Sequence, residues 1–205
     1  MKVLMLNGSA RKNGNTKTAL LEIAKVLKEY DIDSEIFEIQ EPVRDCIGCK
    51  GCTDEGCHFE DNGVNEFIKK AKDADGFVFG TPVYYAHPSG RILSFLDRAF
   101  YSGGKAFKFK PAAAVACARR GGTTASFDVM NKYFGISNMI TVGSSYWNII
   151  HGGTPGEAIQ DAEGVQTMHN IANNMAWILN CIENAKKNGI SYPKLETGTR
   201  TNFIR

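Results

Sequence analysis

The chain has 205 residues, of which 43% are hydrophobic, 22% charged and 10% aromatic; these are globular proportions, and a chain of this length buries roughly 70% of its unfolded surface. Twenty-four Lys and Arg against 22 Asp and Glu leave a net charge of +2, and no basic run marks a nucleic-acid footprint. No apolar run approaches the ~18 residues of a membrane span. The opening Met1-Lys2-Val3-Leu4-Met5-Leu6 is too short for a signal-peptide core, so the expectation is a cytoplasmic protein whose six cysteines are thiols or metal ligands.

Residues 2–6 read as a strand buried on both faces, and a Gly- and Asn-rich turn follows over 7–15. Residues 16–30 read as a helix with Ala19, Leu20, Ile23, Val26 and Leu27 on one stripe. Residues 34–39 read as the second strand, with Ile36 facing away from Phe37 and Ile39. The irregular stretch 42–62 holds four of the cysteines. A helix over 63–73 turns Val64, Phe67, Ile68 and Ala71 inward. The third strand spans 76–80, a loop with two prolines and two tyrosines spans 81–89, and a helix spans 90–101. The fourth strand is 111–118, and a Gly-bearing turn at 119–124 leads to a helix ending near 133. The fifth strand is 139–143. A polar loop over 144–157 leads to a helix at about 161–188, where Ile171, Met175, Ile178, Leu179 and Ile182 form the apolar stripe. The tail from 189 is polar but ends Phe203-Ile204-Arg205, apolar enough to dock.

Strands alternating with helices define βαβ units around a parallel sheet. With no linker or repeat, one domain covers 1–205, carrying a Cys-rich loop at 44–62 and a tail at 189–205. Right-handed crossovers place helices on both faces, a doubly wound α/β sandwich. Ligand is then expected at the carboxyl ends of the strands, where the three informative loops all fall. In the first loop, Ser9, Asn15 and Thr16 offer side-chain donors beside free N–H groups at a helix start, which suits a phosphate. Neither G-x-G-x-x-G nor G-x-x-x-x-G-K-[ST] is present, which disfavours dinucleotide and NTP readings; turn and cap residues alone would also explain it. In the second loop, Pro82, Tyr84 and Tyr85 form a flat wall suited to a planar heterocycle. In the third, Arg119-Arg120-Gly121-Gly122-Thr123 offers cations and N–H groups toward negative charge.

Gly8-Ser9-x-Arg11, Gly14-Asn15-Thr16, Thr81-Pro82-Val83-Tyr84-Tyr85 and Phe95-Leu96-Asp97-Arg98 resemble the motifs of the NADPH-dependent FMN reductase family, in order and spacing, over residues 1 to about 143. The resemblance implies a flavodoxin-like fold, with five parallel strands in the order 2-1-3-4-5. It implies that Ser9, Arg11, Asn15 and Thr16 hold the FMN phosphate. It further implies that Pro82, Val83, Tyr84, Tyr85 and Ala86 flank the isoalloxazine, and that Arg119, Arg120, Gly121 and Gly122 face its pyrimidine edge. Asp97 and Arg98 read as structural or subunit-contact residues.

Cys46-x2-Cys49-x2-Cys52-x4-Cys57 puts four thiols within twelve residues, and thiolates select iron–sulfur clusters or zinc. The first three spacings match a ferredoxin-type run, while the fourth is longer and lacks the following proline. The run also resembles the compact motif of iron–sulfur flavoproteins, which implies a [4Fe–4S] cluster. A cluster, zinc and four reduced thiols all remain open. Cys117 and Cys181 read as core residues.

Tyr146, Trp147 and His151 are candidates for the substrate rim; packing of Trp147 in the core and helix capping by His151 explain them as well. His58, His87 and His169 fit no hydrolase pattern. The expected protein is an FMN-dependent oxidoreductase taking hydride from NAD(P)H and passing it to a quinone, nitro or azo compound, or flavin. The alternative is an iron–sulfur flavoprotein exchanging electrons between FMN and the cluster with a ferredoxin partner; a flavin-binding sensor is a weaker third. A homodimer or homotetramer is expected from the resemblance.

Overall fold

The computed structural model describes residues 1–53, 55–59 and 63–203. Strand β1 (Lys2–Asn7) lies parallel between β2 (Asp33–Glu38) and β3 (Gly76–Tyr84), and β3 pairs in parallel with β5 (Pro111–Ala118). β5 in turn pairs with β6 (Ile140–Thr141), giving the order β2-β1-β3-β5-β6. Apart from the inserted numbering of a two-residue strand, β4 (His87–Pro88), this is the expected 2-1-3-4-5 order. Helices α1 (Asn15–Glu29) and α5 (Ala162–Lys187) cover one face. α2 (Val64–Asp73), α3 (Gly90–Gly103) and α4 (Thr123–Ile136) cover the other.

Strand periodicity divides the core between the faces. In β3, Phe77 and Phe79 join Phe67, Phe95 and Phe107 in an aromatic layer under α2 and α3, while Val78 faces α1 and α5. The α1 stripe lies in the aliphatic layer as its spacing requires. His169 Nε2 lies 2.9 Å from Glu22 Oε2 and ties α5 to α1. No helix among the described residues is long and apolar enough to cross a membrane.

Three expectations need correction. The fifth strand is split: after β6 the chain leaves the sheet and returns as β7 (Ile149–His151), again parallel to β5. Buried Asn148 closes the excursion, its Nδ2 donating to the Val142 carbonyl and its own carbonyl accepting the Ala116 N–H. The 81–89 loop is in fact a hairpin. β3 runs on to Tyr84 and pairs antiparallel with β4, and Tyr85 and Ala86 turn the corner at φ 53° and 57°. Cys181 is exposed, not core, because it points off the outer face of α5. Phe203 is exposed and docks on nothing among the described residues; Ile204 and Arg205 lie outside them, as do Asp54 and residues 60–62 of the Cys-rich loop.

Candidate functional site

A cleft of about 270 Å³ opens at the carboxyl ends of β1, β3 and β5. Parallel strands deliver their following loops to one edge, and this fold brings Ser9, Arg11, Asn15, Thr16, Pro82, Val83, Tyr84 and Arg119 onto its walls. The first loop is held by its own side chains. Asn7 Oδ1 accepts the Ser9 N–H at 3.1 Å, Ser9 Oγ accepts the Arg11 N–H at 3.1 Å, and the Gly8 N–H reaches the Gly80 carbonyl at 2.8 Å. Several amides of the loop are thus already used. Those of Asn15 and Thr16 are not: α1 has Gly14 at its N-cap with no side-chain cap, and among the described residues neither N–H has an acceptor. Unpaired N–H groups and the positive end of a helix dipole make this an anion site.

The cleft includes residues that sequence reasoning missed: Gly14, Cys117, Ala118, Gly152 and Gly153. A glycine pair after a strand was a visible signal for the last two, but the expected strand ended too early to place them. Gly152 is required by space, since a Cβ there would stand 2.6 Å from Asn15 Nδ2. Asn15 Oδ1 accepts the Ala158 N–H at 3.1 Å, and Glu157 Oε2 accepts the N–H groups of Gly153 and Thr154 at 2.6 and 2.7 Å. Those backbone bonds pull the Glu157 carboxyl below its ordinary range. Burial pushes the Cys117 thiol up to about 12, despite an opposing bond with Thr16. The cleft floor therefore keeps a neutral thiol.

The other residues of the second and third loops stand outside the cleft. Tyr85 is fully exposed at the hairpin tip. Ala86 packs on Gly122, whose φ of 89° and 2.5 Å virtual Cβ contact with Ala86 Cα demand glycine. Arg120 and Gly121 are exposed, and the Arg120 carbonyl lies 3.1 Å from His151 Nε2. Tyr146 and His151 line an adjoining recess with Asp161 and Glu163. Trp147 meets Tyr146 edge-on at 4.5 Å and is half-exposed, lining neither. A larger cavity of about 690 Å³ lies at the opposite sheet end, between Phe109, Ile140, Ile182 and Tyr192. It is mainly apolar and far from the loops that follow the strands.

Cys46, Cys49, Cys52 and Cys57 line one small recess together with Arg98 and Tyr101. Burial, and then the neighbouring Cys57, Cys49 and Cys46, raise the Cys52 thiol above its ordinary value. Among the described residues, no three His, Cys, Asp or Glu side chains stand close enough to hold a metal ion as they are. In donor chemistry the four thiols, which share this recess, fit a thiolate-bound centre. Arg98, only 2% exposed, contacts this loop at Cys57 and Phe59. Asp97 instead accepts the Tyr133 hydroxyl.

A doubly wound parallel sheet with an uncapped helix start and a cleft at its switch edge is a flavodoxin-like arrangement. The chain belongs to the NADPH-dependent FMN reductase family, whose model matches residues 1–154. It is 32% identical over 196 residues to an iron–sulfur flavoprotein of Methanocaldococcus jannaschii, covering 89% of this chain and 100% of that one. It is 31% identical over 111 residues to an FMN-dependent NADPH-azoreductase of Staphylococcus aureus, covering 54% of this chain and 57% of that one. In fold it is similar to a flavodoxin from the domain Archaea, with a TM-score of 0.61 at 12% identity, over 88% of this chain and 99% of that one.

Proposed function

We propose that this protein is an FMN-dependent oxidoreductase whose flavin exchanges electrons with an iron–sulfur cluster held by Cys46, Cys49, Cys52 and Cys57. FMN, when bound, supplies hydride acceptance and the release of electrons singly or in pairs. The residues of this chain bind and orient it. The Asn15 and Thr16 N–H groups, with Ser9, Arg11 and the Thr16 hydroxyl, take the phosphate. Pro82, Val83 and Tyr84 offer the ring an apolar wall, and Arg119 compensates negative charge on it. Tyr85, Ala86, Arg120, Gly121 and Gly122 shape the entrance.

One helix links the first loop to the four-cysteine recess, and this observation carries the reading. Ser89, the N-cap of α3, donates its hydroxyl to the Gly8 carbonyl of the first loop at 3.1 Å. Nine residues on, Arg98 Nε reaches Cys57 Sγ at 3.3 Å. At 1.5 Å per residue the two contacts lie about 13 Å apart along the axis. The full-length similarity to an iron–sulfur flavoprotein supports the same reading. A ferredoxin-type protein is the electron partner and NAD(P)H is used only slowly, in a homodimer or homotetramer within the reducing cytoplasm, which suits free thiols.

A second reading has the flavin pass hydride directly from NAD(P)H to a quinone, a nitro or azo compound, or free flavin, with Tyr146, Trp147 and His151 at the rim. The half-exposed Tyr84 on an open cleft wall favours it. Anaerobic purification separates the two. Flavin with about four iron and four sulfide per chain, fast ferredoxin reduction and slow NADPH oxidation support the cluster reading. Flavin without iron, with rapid NADPH-driven reduction of a quinone, supports the second. Zinc in place of iron overturns the first.

A further inference from the structure

Cys57 differs from the other three cysteines in being held from two helices. On the α2 side, Asn65 Oδ1 accepts the Cys57 N–H at 2.8 Å and Asn65 Nδ2 donates to the Cys57 carbonyl at 2.9 Å. On the α3 side, Arg98 Nε donates to Cys57 Sγ at 3.3 Å, and an Arg98 terminal nitrogen donates to the Phe59 carbonyl at 2.8 Å. Cys46 and Cys49 are exposed on a segment without regular structure. A guanidinium this deeply buried is retained only with charge-assisted partners, because an unpaired buried cation is costly.

We infer that Arg98 is the positioning residue of the four-cysteine centre: it pins Cys57 as the preformed ligand and sets the reduction potential of the bound cluster. This rests on the cluster reading above. A cluster gains negative charge when it takes up one electron, so an N–H donor fixed on a ligand sulfur stabilises the reduced form more than the oxidised form and raises the potential. Arg98 does not line the cleft, so the larger effect is expected at the cluster.

The test is anaerobic redox titration of the wild-type holoprotein, R98M and R98K, with flavin and iron measured in each. In R98M the reduced-to-oxidised cluster ratio at fixed potential is expected to fall about tenfold, which is 59 mV for one electron. The flavin midpoint moves less, and R98K recovers part of the loss. Wild-type protein is also exchanged into D2O, where the iron–sulfur stretching bands shift if an N–H donates to a ligand sulfur. R98K, which keeps the charge and an N–H donor, decides the matter should R98M fail to fold, its band shift being expected to match the wild type. Iron in the wild type with an unmoved R98M potential, or with no deuterium shift, overturns the inference and leaves the cluster reading standing. Wild-type protein that binds flavin but no iron overturns both.

Discussion

Asn15 Oδ1 accepts the Ala158 N–H at 3.1 Å across 143 residues of sequence. Through it, the first residue of α1 fixes the loop that carries Gly152 and Gly153 to the far wall of the cleft. The same residue thus leaves its own N–H open and gives its side chain to the architecture of the cleft.

Asn15→Ala strands the buried Ala158 N–H, at a cost of about 1–3 kcal/mol, and loosens the wall. Denaturant unfolding is expected to show that loss, and titration with FMN weaker binding. Gly152→Ala places a methyl group against Asn15 Nδ2 and the Ala158 nitrogen, at about 1–3 kcal/mol. Because both changes act on one contact, the double variant should lose less than the sum of the two. Additive losses would show that the two residues act separately.

Cys117 keeps its proton, since burial holds its thiol at about 12. Only the thiolate is nucleophilic. In metal-free protein at pH 8, iodoacetamide is expected to modify exposed Cys46, Cys49 and Cys181 and to leave Cys117 intact, as read by peptide mass spectrometry. The unfolded chain releases this proton near pH 9 and the folded chain holds it to about 12, so Cys117 contributes a loss of stability as pH rises through that window. Cys117→Ser should flatten it.

Glu157 acts at the other end of the scale. Its carboxylate accepts the Thr154 and Gly153 N–H groups, which lowers its pKa. Folding therefore favours the ionised form. Its stabilising effect is full above the ordinary carboxylate range and is lost as pH falls through the lowered folded value. Acidification is expected to weaken FMN binding in the wild type more steeply than in Glu157→Gln, which lacks the ionisation. Parallel pH profiles of the two dissociation constants would exclude this role.

Much of the fold was legible because it rests on local periodicity. The α1 stripe, the alternation of Phe77 and Phe79 against Val78, and the loops after buried strands all follow from spacings of two to four residues. Those same loops carried most of the cleft wall: Ser9, Arg11, Asn15, Thr16, Pro82, Val83, Tyr84 and Arg119. The cysteine spacing picked out the four thiols that line one recess.

Tertiary structure alone decided the rest. It split the last strand through Asn148, turned the 81–89 loop into a hairpin, brought Gly152 and Gly153 to the cleft, and set Arg98 against Cys57. Each of these depends on hydrogen bonds or steric contacts between residues brought together by chain crossovers. Local hydrophobic patterns record which face of an element is buried, but not which distant donor or carbonyl it will meet there.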